Sequence, residues 1–286
     1  MILNIIVNGL LMGFVFALVA LGLAIIFGVM EIVNFAHGEF LMVGMYAAYL
    51  TATILPVDPL LGLPVAALIG FLLGIASYYL LIRYLLRGPM LAQLLGTFAL
   101  MIFLRYLAMF IFGTDYCMLN EGILIGKSCK LGSCILPYGK LGAAGLSVIS
   151  FSIIYVILHH TKFGSALRAT ALDTEAASIM GINTERMRAI AWGLGGLTVG
   201  LAGALLTNFY YIYPTVGLLF TMIAFTTVAL GGFGSIEGSF VGGLIIGLVE
   251  TVGGYYAGPE WKFALIYFAY FLIVVFRPQG LFGWSR

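Results

Sequence analysis

Charge is what this 286-residue chain has least of. Lysine and arginine number 13, aspartate and glutamate 11, and together they are 8% of the residues. A water-facing domain carries about 25%, so this surface does not face water. Histidine and cysteine are as scarce, at three each. No His/Cys/Asp/Glu cluster has ligand spacing, and the HGE at His37 lacks the second histidine of a zincin, so no metal site is expected. No nucleophile–base set is present either. A net charge of +2 without a basic patch gives nucleic acid nothing to hold. The alternating ten-residue pattern of a membrane β-barrel is missing as well.

Apolar sequence fills the chain instead: 63% of residues are hydrophobic, with a mean hydropathy of +1.14. About 20 apolar residues span a bilayer core as a helix, and a helix satisfies its own backbone amides there. Apolar runs with at most one charge each occur at about 3–28, 39–56, 60–82, 90–113, 142–160, 189–211, 216–231, 239–257 and 263–276. The expectation is one all-α polytopic membrane domain over 1–286. It is a bundle of about 8–10 transmembrane helices with one or two broken or re-entrant segments. The first run has no basic residues before it and is too long for a signal peptide, so it is read as a retained span. Glycine pairs at four-residue spacing (Gly9/Gly13, Gly70/Gly74, Gly196/Gly200, Gly243/Gly247) offer close helix approach.

Loop charges predict orientation. With the N-terminus outside, the inner loops hold Arg83, Arg87, Lys162, Arg168, Arg186, Arg188, Arg277 and Arg286. The outer ones hold Lys127, Lys130, Lys140 and Lys262, so the N-terminus is expected outside and the C-terminus cytoplasmic. Arg105 falls inside a span and is set apart from this tally. An outer loop at about 114–141 carries Cys117, Cys129 and Cys134. An oxidising exterior permits one disulfide, either Cys129–Cys134 or a bridge to Cys117. GILIGKS at 122–128 is one residue short of a P-loop spacing. GGFGSIEG at 231–238 lacks the strand–helix context of a dinucleotide fingerprint and reads as a break between spans.

The inner loop at about 161–188 is the most charged stretch. Ala169, Leu172, Ala176, Ile179 and Met180 fall at helical spacing on one narrow apolar face. Gly181 suits a left-handed C-cap, and Asn183 or Thr184 suits the next N-cap. A short amphipathic helix across the inner membrane face is expected, resting on lipid or on a partner.

Glu175-Ala176-Ala177, three residues and then Gly181 resemble the EAA-x3-G signature of bacterial ABC importer permeases. Residues 8–49, from NGLLMGFVFALVALGLAIIFGVM to HGEFLMVGMYAAY, resemble the opening of one branch: the permeases of branched-chain amino-acid importers and their urea and amide relatives. RATALDTEAASIMGINTERM, VALGGFGSIEGSFVGGLIIGLVE and the closing RPQGLFG are similar to the same branch. The outer cysteines and Arg105 match no motif of it. The resemblance implies that Leu172, Glu175, Ala176, Ala177, Ile179, Met180 and Gly181 form a helix that docks on an ATPase. It implies a second permease subunit (homo- or heterodimer), two cytoplasmic ABC ATPases and an extracytoplasmic solute-binding protein as partners. ATP and Mg would be used by those ATPases, with no cofactor and no enzyme activity in this chain. The setting implied is a bacterial-type cytoplasmic (inner) membrane.

The residues at 31–39 pose the open question. Glu31, Asn34, His37 and Glu39 interrupt two greasy runs with almost no loop between them. Polar groups at bilayer depth usually face a cavity or a partner, and transporters build sites from broken helices. Asn34, His37 and Glu39, with Glu250 in a later span, are therefore candidates for a translocation path. In this reading Gly38 permits the turn, and 231–238 is a counterpart break in the second half. Tight turns at the membrane surface, a contact with the second permease, and for Glu250 a helix–helix hydrogen bond are the competing readings. The function expected is transport of leucine, isoleucine or valine by alternating access driven by separate ATPases. Urea or amide transport, an ion-coupled secondary transporter and a membrane enzyme are the alternatives.

Overall fold

The computed structural model describes residues 2–55, 57–131, 134–277 and 279–283; Arg286, counted above among the inner charges, lies outside them. Each of the nine apolar runs forms a helix. The first, α1 (Ile2–Met30), is 29 residues long and buried along most of its length. It is followed by α2 (His37–Ile54). Next, α3 (Gly62–Ser77) passes through a π-helical turn (Tyr78–Ile82) into one last turn, α4 (Arg83–Leu85). After α5 (Met90–Phe112) comes an antiparallel hairpin, β1 (Ser128–Leu131) and β2 (Cys134–Pro137). Then follow α6 (Tyr138–His160), the short peripheral α7 (Lys162–Leu172) and α8 (Thr174–Ile179), and α9 (Thr184–Leu206). The chain closes with α10 (Val216–Gly231), α11 (Ile236–Tyr256) and α12 (Lys262–Phe276). Six helical segments among the described residues are long and apolar enough to cross a membrane. Of the rest, α2 has 18 residues, α10 16 and α12 15.

The glycine pairs form two seams. A Cβ on Gly13 would stand 2.8 Å from Leu244 Cα, and one on Gly247 2.4 Å from both Gly13 N and Gly9 O, so α1 and α11 touch backbone to backbone. A Cβ on Gly70 would come within 2.2 Å of Gly196 O, and one on Gly200 within 2.5 Å of Ala66 O, joining α3 to α9 in the same manner. Lipid gives no advantage to burying large side chains, so contact area at such seams comes from small ones. All four pairs meet another of the four.

Tracing the helices defines two faces. The face at Met30 gathers Arg83, Arg87, Lys162, Arg168, Arg186, Arg188 and Arg277. The face at Ile2 has Lys127, Lys130, Lys140 and Lys262.

Three expectations need correction here. The 231–238 stretch is a surface turn at the Met30 face. Gly232 and Gly234 take φ of 107° and 81°, Ser235 caps α11 by accepting from Gly238 N at 2.9 Å, and Leu281 N donates to Leu230 O at 2.8 Å. The run expected at 189–211 ends as helix at Leu206, and the next residues turn back into the bundle. The three cysteines are free thiols. Cys129 pairs in register with Leu136 and Cys134 with Leu131, which makes the two cysteines diagonal neighbours. Diagonal positions lie about 7–8 Å apart, beyond the usual Cα separation of a disulfide. Cys117 is held elsewhere, exchanging both backbone bonds with Ile212 at 2.9 Å.

Candidate functional site

The polar interruption at 31–39 is a break inside the bundle. Glu31 turns the chain with φ 54°, a left-handed conformation that is unusual for a residue with a β-carbon. His37 Nε2 donates to the carbonyl of Val19, 2.9 Å away, and this fixes how deep α2 starts. Val19 lies eleven residues before the end of α1 (30 − 19), or about 16 Å of helix. The six non-helical residues 31–36 cover that return within their extended reach of roughly 20 Å. Asn34 Oδ1 accepts from Ala36 N at 3.0 Å and shapes the last turn before the helix. The expected role of Gly38 is different from the one found. It lies within the first turn of α2, and a Cβ there would fall 1.9 Å from Gly217 O. Its service is close approach, not turning.

Gly217 is the second residue of α10, which also begins inside the bundle. The chain leaves α9 at Leu206 near the Ile2 face and returns through 207–215. Thr207 and Asn208 donate to carbonyls of the last turn of α9. From this common depth α2 runs to the Ile2 face and α10 to the Met30 face. Their N-termini meet, and Gly38 N donates to Thr221 Oγ1 at 3.0 Å.

A carboxylate sits in this junction. Glu39, third residue of α2, is fully buried, and its Oε1 accepts from both Nε (3.1 Å) and Nη2 (2.5 Å) of Arg105 on α5. Its Oε2 has no hydrogen-bond partner among the described residues and lies beside Gly217. The positive end of a helix dipole favours an anion, and here two such ends converge on one carboxylate. Arg105 completes the neutralisation that burial demands. Its side chain is 16% exposed, that of Glu39 0%. Asn34 and His37 are fully buried as well, and Asn34 Nδ2 and His37 Nδ1 lack partners among the described residues. The structure thus gathers Asn34, His37, Glu39 and the unforeseen Arg105. Glu250 stands apart on α11, receiving a hydrogen bond from Lys262 Nζ of α12 at 3.1 Å.

The second candidate region is the corner at the Met30 face. The single helix expected over 164–180 is two, α7 and α8, because Asp173 adopts an extended conformation and caps α8. Its Oδ1 accepts from Glu175 N and Ala176 N at 2.9 and 3.0 Å. Gly181, at φ 84°, ends α8 in a Schellman turn: Ile182 N donates to Ala177 O and Gly181 N to Ser178 O, both at 3.0 Å. Asn183 caps α9 by accepting from Arg186 N at 3.0 Å. Leu172, Ile179 and Met180 are 82%, 86% and 81% exposed, while Glu175 and Ala176 also face out. Ala177 is buried, so the two alanines of the EAA triplet have different surroundings. Arg188 Nη2 donates to Thr174 Oγ1 at 2.9 Å and ties the base of α8 to α9.

Comparison with known proteins follows from this geometry. Residues 5–275 match the family model described as the permease component of branched-chain amino acid transport systems. The chain is 30% identical to the high-affinity branched-chain amino acid permease LivH of Salmonella typhimurium, over 96% of this chain and 94% of that one. It is 30% identical to BraD of Pseudomonas aeruginosa (97% and 94% covered), and 31% identical to the probable LivH of Methanocaldococcus jannaschii (84% and 77%). Among solved structures, PsaBC from Streptococcus pneumoniae in complex with Fab superposes with a TM-score of 0.51 at 13% identity, covering 98% of this chain and 97% of that one. That likeness speaks for the fold alone. This chain belongs to the family of permease components of branched-chain amino acid transport systems.

Proposed function

We propose that the chain is the membrane-spanning subunit of an ATP-driven importer of branched-chain amino acids, working with a second permease subunit, cytoplasmic ATPases and an extracytoplasmic binding protein. The observation that carries this reading is the α7–α8 corner. Three large apolar side chains stand almost free on the face richest in arginine, Leu172 at the end of α7 and Ile179 and Met180 at the end of α8. Exposed apolar groups of this kind mark an interface. Arginine and lysine favour the cytoplasmic side, which supports a Met30 face turned inside, an N-terminus outside and a corner within reach of an ATPase. ATP and Mg belong to that partner. Alternating access then requires α2 and α10 to part at Gly38 and Gly217, exposing Asn34, His37 and Glu39 to a path between the two faces.

Substitutions at two adjacent alanines test the reading. Ala176→Asp places a charge on the exposed face of α8 and would bury it unpaired in a docking cleft. This variant should insert and fold normally yet lose copurification with the ATPase and lose leucine uptake. Ala177→Asp buries its charge within the chain itself and should lower the yield of folded protein. If Ala176→Asp retains both the ATPase and full uptake, α8 is not the coupling element.

A further inference from the structure

A cavity of about 700 Å³ opens at the Met30 face between the ends of α1, α6 and α7 and the start of α11. Its charged lining is Glu31, His159, Arg168 and Glu237, and the rest is largely apolar, including Phe27 and Phe233. A second cavity of about 400 Å³ adjoins it, sharing Glu237 and Phe282, and runs up the groove between α6 and α11 along Phe151, Ser152, Val156 and Val241. Phe151 and Phe240, with ring centroids 5.0 Å apart, floor its deep end. From His160 to Phe151 is nine residues of helix, about 13 Å, close to half the thickness of a hydrocarbon core. The polar groups are thus at the membrane boundary and the apolar groove reaches towards the midplane.

We propose that this joined cavity holds one phospholipid with an ethanolamine head. Arg168 is fixed by donating to Leu158 O and to Ser165 Oγ, which uses two of its five N–H groups and leaves three for a phosphate. Glu237, 3.5 Å from His159, supplies a carboxylate suited to an ammonium group that has N–H donors. A choline head has no N–H to give it, and a glycerol head has no ammonium to set beside it. One acyl chain follows the α6–α11 groove. Because Arg168 and Leu172 belong to α7, the bound lipid touches the element that leads into α8.

The test is native mass spectrometry of the delipidated, detergent-solubilised complex offered an equimolar mixture of phosphatidylethanolamine, phosphatidylglycerol and phosphatidylcholine with identical acyl chains. One phosphatidylethanolamine per copy of the chain should be retained, at least fivefold over either competitor. Val241→Trp, filling the groove, and Glu237→Gln, removing a carboxylate, should each cut retention about tenfold. Ser152→Phe narrows the same groove from the α6 wall and should do likewise, which covers the case in which Val241→Trp does not fold. Ile153→Trp, on the outer side of α6, should leave retention unchanged. Equal retention of the three heads, or undiminished retention in the Val241→Trp and Ser152→Phe variants, overturns the proposal. Binding is read without transport, so its failure leaves the importer reading untouched.

Discussion

Replacing Arg105 by leucine should be among the most damaging single changes available in the membrane domain. The carboxylate of Glu39 has no exposure, both of its hydrogen bonds go from Arg105 to Oε1, and Oε2 has none among the described residues. Removing the guanidinium leaves a buried charge with only two helix ends to favour it. Breaking a buried pair in this way costs about 3–5 kcal/mol, or roughly two to three and a half decades in the unfolding equilibrium constant. The reverse change, Glu39→Gln, should cost less, because the partly exposed Arg105 can swing along its own stem towards a polar boundary. The double variant Glu39→Gln/Arg105→Leu removes both charges and should recover most of the loss. Arg105→Lys should fall between, since an ammonium cannot reproduce the two-nitrogen grip. Equilibrium unfolding in mixed micelles across a denaturing-detergent series measures all four. Hydrogen exchange should also quicken along α5, whose other ties to this region include the bond from Thr97 Oγ1 to Val33 O at 3.0 Å, the Tyr46–Phe112 stack at 4.1 Å and the edge-on Phe35–Phe98 contact at 6.2 Å. The reasoning is refuted if Arg105→Leu lies within about 1 kcal/mol of the parent, which is the range of an exposed pair, or if the double variant is as unstable as the worse single.

Two further outcomes follow from the packing and the loop. Gly196→Ala puts a Cβ 2.1 Å from Gly70 O and should destabilise the α3–α9 seam by about 1–3 kcal/mol; Gly145→Ala, with nothing within 4 Å, should be silent or slightly stabilising in the same unfolding series. Alkylation of the non-reduced, denatured chain should label all three cysteines, whereas a single label would show that Cys129 and Cys134, or one of them and Cys117, are bridged after all.

Much of this architecture is legible from local chemistry. Apolar run length gives the nine helices, because in lipid a helix is the one open-ended structure that closes its own hydrogen bonds. Gly181, without a β-carbon, and Asn183, through its side-chain amide, take the cap positions they suit, since capping depends on a handful of consecutive residues. The glycine pairs announce close approach, though the letters do not say which pair meets which. Misreadings cluster where a short-range signal is silent. Asp173 carries the helical spacing of its neighbours, so hydrophobic periodicity runs straight through it, and its ability to cap breaks the helix into α7 and α8. At 207–215 the sequence TNFYYIYPT is apolar enough to extend a span. The features that turn it, Thr207 and Asn208 bonding back to α9 and Ile212 pairing with Cys117, are tertiary.

Arg105 and Gly38 show why the junction itself resists reading. A charge in the middle of a span announces cost and nothing about its partner, and its partner here lies 66 residues away, brought near by a segment that has no regular structure. Gly38 looks like a hinge in sequence because glycine is associated with turns, yet its conformation is ordinary helix and its missing side chain matters only because Gly217 arrives opposite. Both facts have one physical source. Two helices that begin at bilayer depth must bring their unbonded N–H groups together somewhere, and the arrangement tolerates that only with backbone in contact and a carboxylate between the ends. The carboxylate then needs a cation from a third helix. Each requirement is met by a residue from a different part of the chain, so no window of sequence contains the site, although every member of it is polar or glycine in a background of aliphatic side chains. The same logic explains why Glu250 differs. It too is an acid within an apolar run, but its neutralising Lys262 lies twelve residues away at the Ile2 face, where the helix ends and the charge is cheap to keep. Depth, set by where each helix starts, separates the two acids, and depth is a property of the fold.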